Sequence, residues 1–106
     1  MRKRSESDIV RAVCDYLQCK GYFFWRQNNG AVFDPTKKIF RRKAVFVMNG
    51  VPDILLLHMG KLIGLECKME KGKQSDDQKL FQERMVKAGG HYYLVRSTDD
   101  LVAIGL

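Results

Sequence analysis

Two apolar segments joined by a tight turn constrain the fold of this chain most strongly. Residues 50–68 read GVPDILLLHMGKLIGLECK, and the branched apolar residues on both sides of positions 59–60 predict a β-hairpin. A two-residue turn at 59–60 pairs His58 with Lys61, and this register fixes the face of the sheet that each side chain occupies. Because Met59 disfavours the type I′ turn that such a loop needs, a longer loop or a bulge remains an alternative.

Charged side chains occupy the outer ends of this hairpin. In the two-residue register Asp53 lies opposite Glu66, and Lys68 shares their face while Cys67 points to the other. Opposed carboxylates destabilise a strand pair, because their Cβ atoms lie within roughly 5 Å of each other. A divalent cation offsets this repulsion, since Mg²⁺ prefers oxygen ligands. The pattern therefore predicts a metal site beside a lysine, whereas a single acid alone would indicate only a solvent-facing strand end.

Composition bounds the size and the partners of the molecule. The chain has 106 residues, which fits a single domain spanning 1–106, and 45% of them are hydrophobic, enough for a core. Lys and Arg outnumber Asp and Glu by 19 to 12, giving a net charge of +7. Such an excess favours a polyanion partner, most often nucleic acid, although a merely basic soluble surface is the alternative. Three cysteines without a CxxC pair indicate reduced thiols that fill the core.

Turn and capping signals divide the rest of the chain into helices and strands. The first helix carries the apolar stripe Ile9, Val13, Tyr16 and Leu17. Together the elements predict an α/β fold with a mixed, mostly antiparallel sheet flanked by helices, in the order α-β-β-β-α-β-α. The expected elements are a helix from Ser5 or Ser7 to about Lys20, a strand at 22–27 whose aromatic residues Tyr22, Phe23 and Trp25 are core, a loop or irregular basic hairpin at 27–43, a strand at 44–48, the hairpin itself, a helix from Ser75 to about Ala88, a strand at 91–97 and a short helix at 99–103.

Motifs in and around the hairpin resemble those of the VRR-NUC domain, within the PD-(D/E)xK nucleases. VPD at 51–53 and ECK at 66–68 look like the short nuclease signature. The wider pattern includes SESDIVRAVCDYL, WRQNNGA, GLECKMEKGKQSDDQKLFQERMVKAGG and YYLVRS, so the similarity covers nearly the whole chain. The form is similar to the minimal stand-alone domain found in phages. This resemblance implies a restriction-endonuclease-like fold.

The same resemblance implies an activity. Such domains are Mg²⁺- or Mn²⁺-dependent DNA endonucleases, and the stand-alone forms are similar to Holliday-junction resolvases that act as homodimers. We therefore expect a structure-selective endonuclease that cuts branched DNA and leaves 5′-phosphate and 3′-hydroxyl ends. No apolar run is long enough to cross a bilayer, and no signal peptide is evident, so we expect a cytoplasmic protein, in the host cytoplasm if phage-encoded.

Residue roles follow from the resemblance position by position. It implies that Asp53, Glu66 and the backbone carbonyl of Cys67 bind the metal and that Lys68 orients or helps to deprotonate the attacking water. Glu6 matches the acid of the first helix, and Gln78 matches a glutamine that follows the core motif.

Each of these last two residues also has a structural explanation. An acid such as Glu6 suits the first turn of any helix, because it complements the helix dipole. Gln78 follows Ser75 by three residues, which is a capping box. The chain also departs from the family pattern at Ser97, where an arginine is expected, and this weakens a phosphate-binding role for that strand end.

Basic runs on both sides of the hairpin are candidates for contacts with the DNA backbone. By default such runs are ordinary solvated surface, and a non-catalytic nucleic-acid-binding module on a nuclease scaffold is the rival function. A restriction-type nuclease with sequence preference is a third reading, which the short chain disfavours. The candidate DNA-binding residues are Lys37, Lys38, Arg41, Arg42, Lys43, Lys71 and Lys73.

Overall fold

The computed structural model describes residues 4–27, 33–34, 39–40 and 46–106. The helices and strands of this part of the chain follow one another in an order close to the predicted one. The elements are α1 (Glu6–Cys19), β1 (Phe23–Arg26), β2 (Phe33–Asp34), β3 (Ile39–Phe40), β4 (Ile54–His58), β5 (Lys61–Cys67), α2 (Asp76–Lys87), β6 (His91–Val95) and α3 (Thr98–Ala103).

Four strands form the central sheet in the order β1-β4-β5-β6. The β1-β4 and β4-β5 pairs are antiparallel, whereas β5 and β6 are parallel because α2 carries the chain back between them. The predicted mixed, mostly antiparallel α/β fold is therefore confirmed. The predicted basic hairpin is present as the short antiparallel pair of β2 and β3. The predicted strand at 44–48 is wrong for residues 46–48, which form a turn and irregular chain, and residues 44–45 lie outside the described residues.

The β4-β5 hairpin has the two-residue register that the sequence predicts. His58 pairs with Lys61, and Ile54 pairs with Leu65 at the far end. Met59 forms the two-residue turn although its residue type disfavours it. Its backbone adopts the left-handed conformation at φ 51°, and Gly60 follows at φ 79°. This conformation costs a non-glycine residue about 1–2 kcal/mol, which the strand pairing offsets. The side chain of Met59 is 87% exposed, so it makes no demand on the core.

α1 packs across one face of the sheet and forms the main core with it. Ser5 caps the helix, since its hydroxyl accepts from the Asp8 amide and its own amide donates to the Asp8 carboxylate. The buried side chains of α1 meet Ile54 and Leu65 of the hairpin, together with Val95 and Leu101 beyond it. The α1 residues that are buried are Ile9, Val10, Val13 and Leu17.

The opposite face of the sheet is covered less completely. α2 packs against β6 there, with the Phe81 ring 6.4 Å from the Tyr92 ring. Gly64 lets Pro52 pack closely on the strand, because a Cβ atom at position 64 would lie 2.6 Å from Cγ of Pro52. The prediction of a core position is wrong for Phe23 and Trp25, which are 66% and 40% exposed. Their strand, β1, lies at the edge of the sheet away from β6, which α2 covers.

Tyr22, the third aromatic residue of that segment, is half-buried and packs against the core as predicted. Its hydroxyl donates to the backbone carbonyl of Leu106 at 3.0 Å. Over the described ranges, no helix is both long enough and apolar enough to cross a membrane.

Candidate metal centre

Asp53 lies between two strands, immediately before β4, and is held by both of them. Its backbone carbonyl accepts from the Gln27 amide, which follows β1, at 2.8 Å. Its carboxylate Oδ2 accepts from the Cys67 amide of β5, also at 2.8 Å. Pro52, packed against Gly64, fixes the chain just before it. These contacts fix the Asp53 carboxylate between β1 and β5.

Glu66 is buried although it is an acid, with 1% of its surface exposed. The Tyr92 hydroxyl donates to its Oε2 atom at 3.2 Å. Burial first, and then the negative charge and hydrogen bond of Asp53, raise the pKa of Glu66 to about 8, against the lowering effects of Lys68 and Tyr92. Without an ion the two neighbouring carboxyl groups therefore favour a shared proton, as expected for like charges at close range.

Glu6 completes the cluster from the N-terminus of α1. One carboxylate oxygen each from Glu6, Asp53 and Glu66 lies within 4.8 Å of the others. Glu6 is exposed, Asp53 is half-buried and Glu66 is buried, so the cluster opens to solvent on the Glu6 side. Three carboxylates that lie this close together fit a hard divalent cation such as Mg²⁺ or Mn²⁺, which would replace the shared proton.

Lys68 and Cys67 follow Glu66 and occupy opposite faces, as the strand alternation predicts. Cys67 points into the α1 core and is fully buried. Burial, together with the charges of Asp53 and Glu66, raises the pKa of its thiol, so it is not a thiolate nucleophile at neutral pH. Lys68 is half-buried, and its positive charge lowers the pKa of Glu66. Metal binding by the Cys67 carbonyl stays a prediction.

Gln78 is engaged in a helix cap. Its side-chain Oε1 accepts from the Ser75 amide at 2.8 Å, and its own amide donates to the Ser75 hydroxyl at 3.2 Å. This is the capping box that the S-x-x-Q spacing predicts. Gln78 does not belong to the cluster of three acids, and its direct role in the site stays a prediction.

Sequence reasoning missed the residues that support Glu66. Tyr92 lies on β6, where the parallel register pairs it with Gly64, two residues before Glu66 on the same face. Its hydroxyl also has a hydrogen bond with the Gln74 side chain. The Gln74 Nε2 atom donates in turn to Oε1 of Gln82 on α2 at 2.8 Å. The alternation of HYYLV indicates that Tyr92 and Tyr93 occupy opposite faces. It places Tyr92 near Glu66 only once the parallel pairing of β5 and β6 is known.

The predicted DNA-binding residues divide into two groups. Lys71 and Lys73 are exposed in the loop that follows Lys68, and Lys71 lines a groove shared with Glu6. The remaining candidates, Lys37, Lys38, Arg41, Arg42 and Lys43, lie outside the described residues.

Comparison with known proteins supports the fold and not a closer relationship. A solved structure described as a VRR_NUC domain superposes with a TM-score of 0.69 and 19% sequence identity, covering 95% of this chain and 97% of that one. No protein-family model matches the sequence. No curated protein matches it either. At this level of identity the match shows that the chain has the fold of a VRR_NUC domain, and the predicted resemblance is confirmed to that extent.

Proposed function

We propose that this protein is a divalent-metal-dependent DNA endonuclease that cuts branched DNA as a homodimer. The observation that carries the proposal is the convergence of Glu6, Asp53 and Glu66, and the positive charge of Lys68 acts on Glu66. The VRR_NUC fold and the net charge of +7 support a nucleic-acid substrate. A module that only binds DNA has no need for acids that repel one another in a buried site, which favours catalysis over the rival function.

Each side chain of the site has its own role in the proposed hydrolysis of the phosphodiester bond. Mg²⁺ or Mn²⁺, when bound, supplies positive charge at the attacked phosphate and lowers the pKa of its water. Asp53, just before β4, and Glu66 of β5 would hold the ion, and Glu6 would complete the ligand set from the solvent side. Lys68 orients the attacking water and stabilises negative charge on the phosphate. The products are a 5′-phosphate and a 3′-hydroxyl.

An exposed apolar surface supports the homodimer. Val47, Met48 and Leu80 line one groove and are 52%, 37% and 54% exposed. A two-fold contact there would cover apolar side chains and give a junction two sites related by symmetry, as paired cuts require. Light scattering on the purified protein tests this part of the proposal, because a monomeric mass at working concentrations contradicts it.

The activity is tested by incubating the protein with labelled four-way junction, flap and duplex DNA in Mg²⁺, Mn²⁺ or EDTA. We expect the junction to be cut with either metal and not in EDTA. Asp53→Asn and Glu66→Gln keep the shape of each side chain and should lower the cleavage rate at least about a thousandfold while DNA affinity stays within a few-fold. Glu83→Gln, an exposed acid on α2, is the matched control and should cut like the parent protein.

Three results would contradict the proposal or a part of it. Tight binding of every DNA without cleavage in either metal supports the binding module instead. Full cleavage by the Asp53 or Glu66 variant removes that residue from the ligand set. Equal cutting of junction, flap and duplex keeps the nuclease and overturns the selectivity for branched DNA.

A further inference from the structure

A groove of about 770 Å³ runs from Glu6 along the loop after β5. Among the residues that the structure describes, its cationic side chains are Arg4, Lys71 and Arg96, and the acids on its walls are Glu6 and Glu70. Since Glu6 belongs to the acid cluster, the groove begins at the candidate metal centre. Its volume lies within the roughly 300–1,000 Å³ typical of ligand sites, which suits a short stretch of chain better than an isolated ion.

The parallel pairing of β5 and β6 explains why these residues meet. Cys67 pairs with Val95, and the Lys68 amide extends the ladder by donating to the Val95 carbonyl at 3.0 Å. The carboxyl ends of the two strands therefore lie side by side at the same end of the sheet. The loop at 69–73 follows β5 at this end, and Arg96 follows β6 beside it.

The guanidinium group of Arg96 donates hydrogen bonds to the 69–73 loop. Nη2 donates to the Gly72 carbonyl at 3.0 Å, and Nε donates to the Glu70 carbonyl at 3.3 Å. The Arg96 amide donates to Oδ2 of Asp100 at 2.8 Å, which fixes the corner where β6 leads into α3. Two donors on one planar group define the position of the loop in a way that the single ammonium of a lysine does not.

We infer that this groove binds the phosphodiester backbone of the DNA strand beside the bond that is cut, and that Arg96 is a positioning residue that holds the 69–73 loop as its wall. The inference rests on the proposed nuclease function. Lys71, exposed on that loop, contacts a phosphate. The half-buried guanidinium of Arg96 leaves its charge facing the same space while its hydrogen bonds go to the loop carbonyls.

The test compares Arg96→Lys, Arg96→Ala and Lys71→Ala with the parent protein. Affinity for a labelled DNA duplex is measured in EDTA over a series of salt concentrations, and cleavage is measured separately at saturating DNA. Lys71→Ala should lower the slope of log affinity against log salt by about 1, the loss of one phosphate contact. Both Arg96 variants should bind about tenfold more weakly, although Arg96→Lys keeps the charge. Their cleavage rate at saturating DNA should stay within a few-fold of the parent value.

Lys79→Ala is the matched control, because Lys79 is an exposed cation of α2 outside the groove. Denaturant unfolding of each variant shows whether a loss of affinity comes from loss of folded protein. Parent-like affinity in Arg96→Lys would mean that only charge matters and would overturn the positioning role. An unchanged salt slope in Lys71→Ala would overturn the phosphate contact. DNA binding is measured without metal and therefore does not depend on cleavage. A parent protein that cuts no DNA would contradict the proposed activity, whereas the affinities of the variants would still test DNA binding in the groove.

Discussion

α1 and α2 lie on opposite faces of one sheet, yet they cover it differently. α1 buries four apolar side chains against the strands, and the core that it forms is entirely apolar. α2 buries no side chain completely, and beneath it lies Glu66 with the hydrogen-bonded Tyr92 and Gln74. The contrast teaches that folding energy comes mainly from the α1 face, whereas the α2 face holds the polar groups that a ligand needs.

The largest expected difference in stability comes from the charge of Glu66, on the α2 face, in metal-free protein. Because its folded pKa of about 8 exceeds its ordinary value of 4.5, folding favours the protonated form. This contribution to stability is complete below about pH 4.5 and is lost as the pH rises through 8, at up to about 1.4 kcal/mol per pH unit. In EDTA at pH 9, Glu66→Gln should therefore be more stable than the parent protein by a few kcal/mol.

Denaturant unfolding across the pH range measures this difference, which should vanish near pH 4.5. Adding Mg²⁺ at pH 8 should raise the stability of the parent protein and leave Glu66→Gln unchanged, because the ion takes the place of the proton. A parent protein that gains stability over the variant as the pH rises in EDTA would show that Glu66 is not held neutral.

The second effect compares one valine on each helix. Val13 of α1 is fully buried, and Val86 of α2 is 52% exposed. Val13→Ala should cost about 2 kcal/mol of unfolding free energy, because it removes buried methyl groups and leaves a cavity. Val86→Ala should be neutral or stabilise by up to about 0.5 kcal/mol, since alanine is the better helix former. Equal losses in the two variants, measured by urea unfolding, would mean that α2 contributes as much core as α1.

The third effect concerns Tyr92 of β6, and its effect on stability is smaller than the loss expected for Val13→Ala. Tyr92→Phe removes the hydroxyl that donates to Glu66 and should cost about 1 kcal/mol of unfolding free energy. It should weaken Mn²⁺ binding by about 10- to 100-fold, because the Glu66 carboxylate loses the partner that orients it. Titration calorimetry with Mn²⁺ measures the affinity. Tyr93→Phe, whose ring packs against the α1 core, is the matched control, and equal affinities in the two variants would contradict the role of Tyr92.

Local patterns in the sequence predicted the parts of the fold that depend on neighbouring residues. The alternation around Met59 predicted the register that brings Asp53 to Glu66, although the left-handed backbone of Met59 ran against its usual preference. The Ser75 capping box was predicted from a three-residue spacing and is present. These features are accessible because turn length and helix caps involve residues close together in the chain.

Features that depend on the arrangement of distant elements were not predicted. Phe23 and Trp25 suggested core by residue type, but β1 lies at the edge of the sheet farthest from β6, where α2 packs. Tyr92 is separated from Glu66 by 26 residues, and only the parallel pairing of β5 and β6 brings them together. Arg96 meets the 69–73 loop for the same reason. Sequence spacing contains no direct record of such cross-strand neighbours.

Asp53 connects three strands, because its backbone carbonyl receives the Gln27 amide and its carboxylate receives the Cys67 amide. A local opening that separates β5 from this residue would also separate the carboxyl groups of Asp53 and Glu66. An ion held by Glu6, Asp53 and Glu66 would therefore stabilise the pairing of β4 and β5 and slow solvent exchange at the Cys67 amide, so the lifetime of these paired strands would depend on whether the centre is occupied.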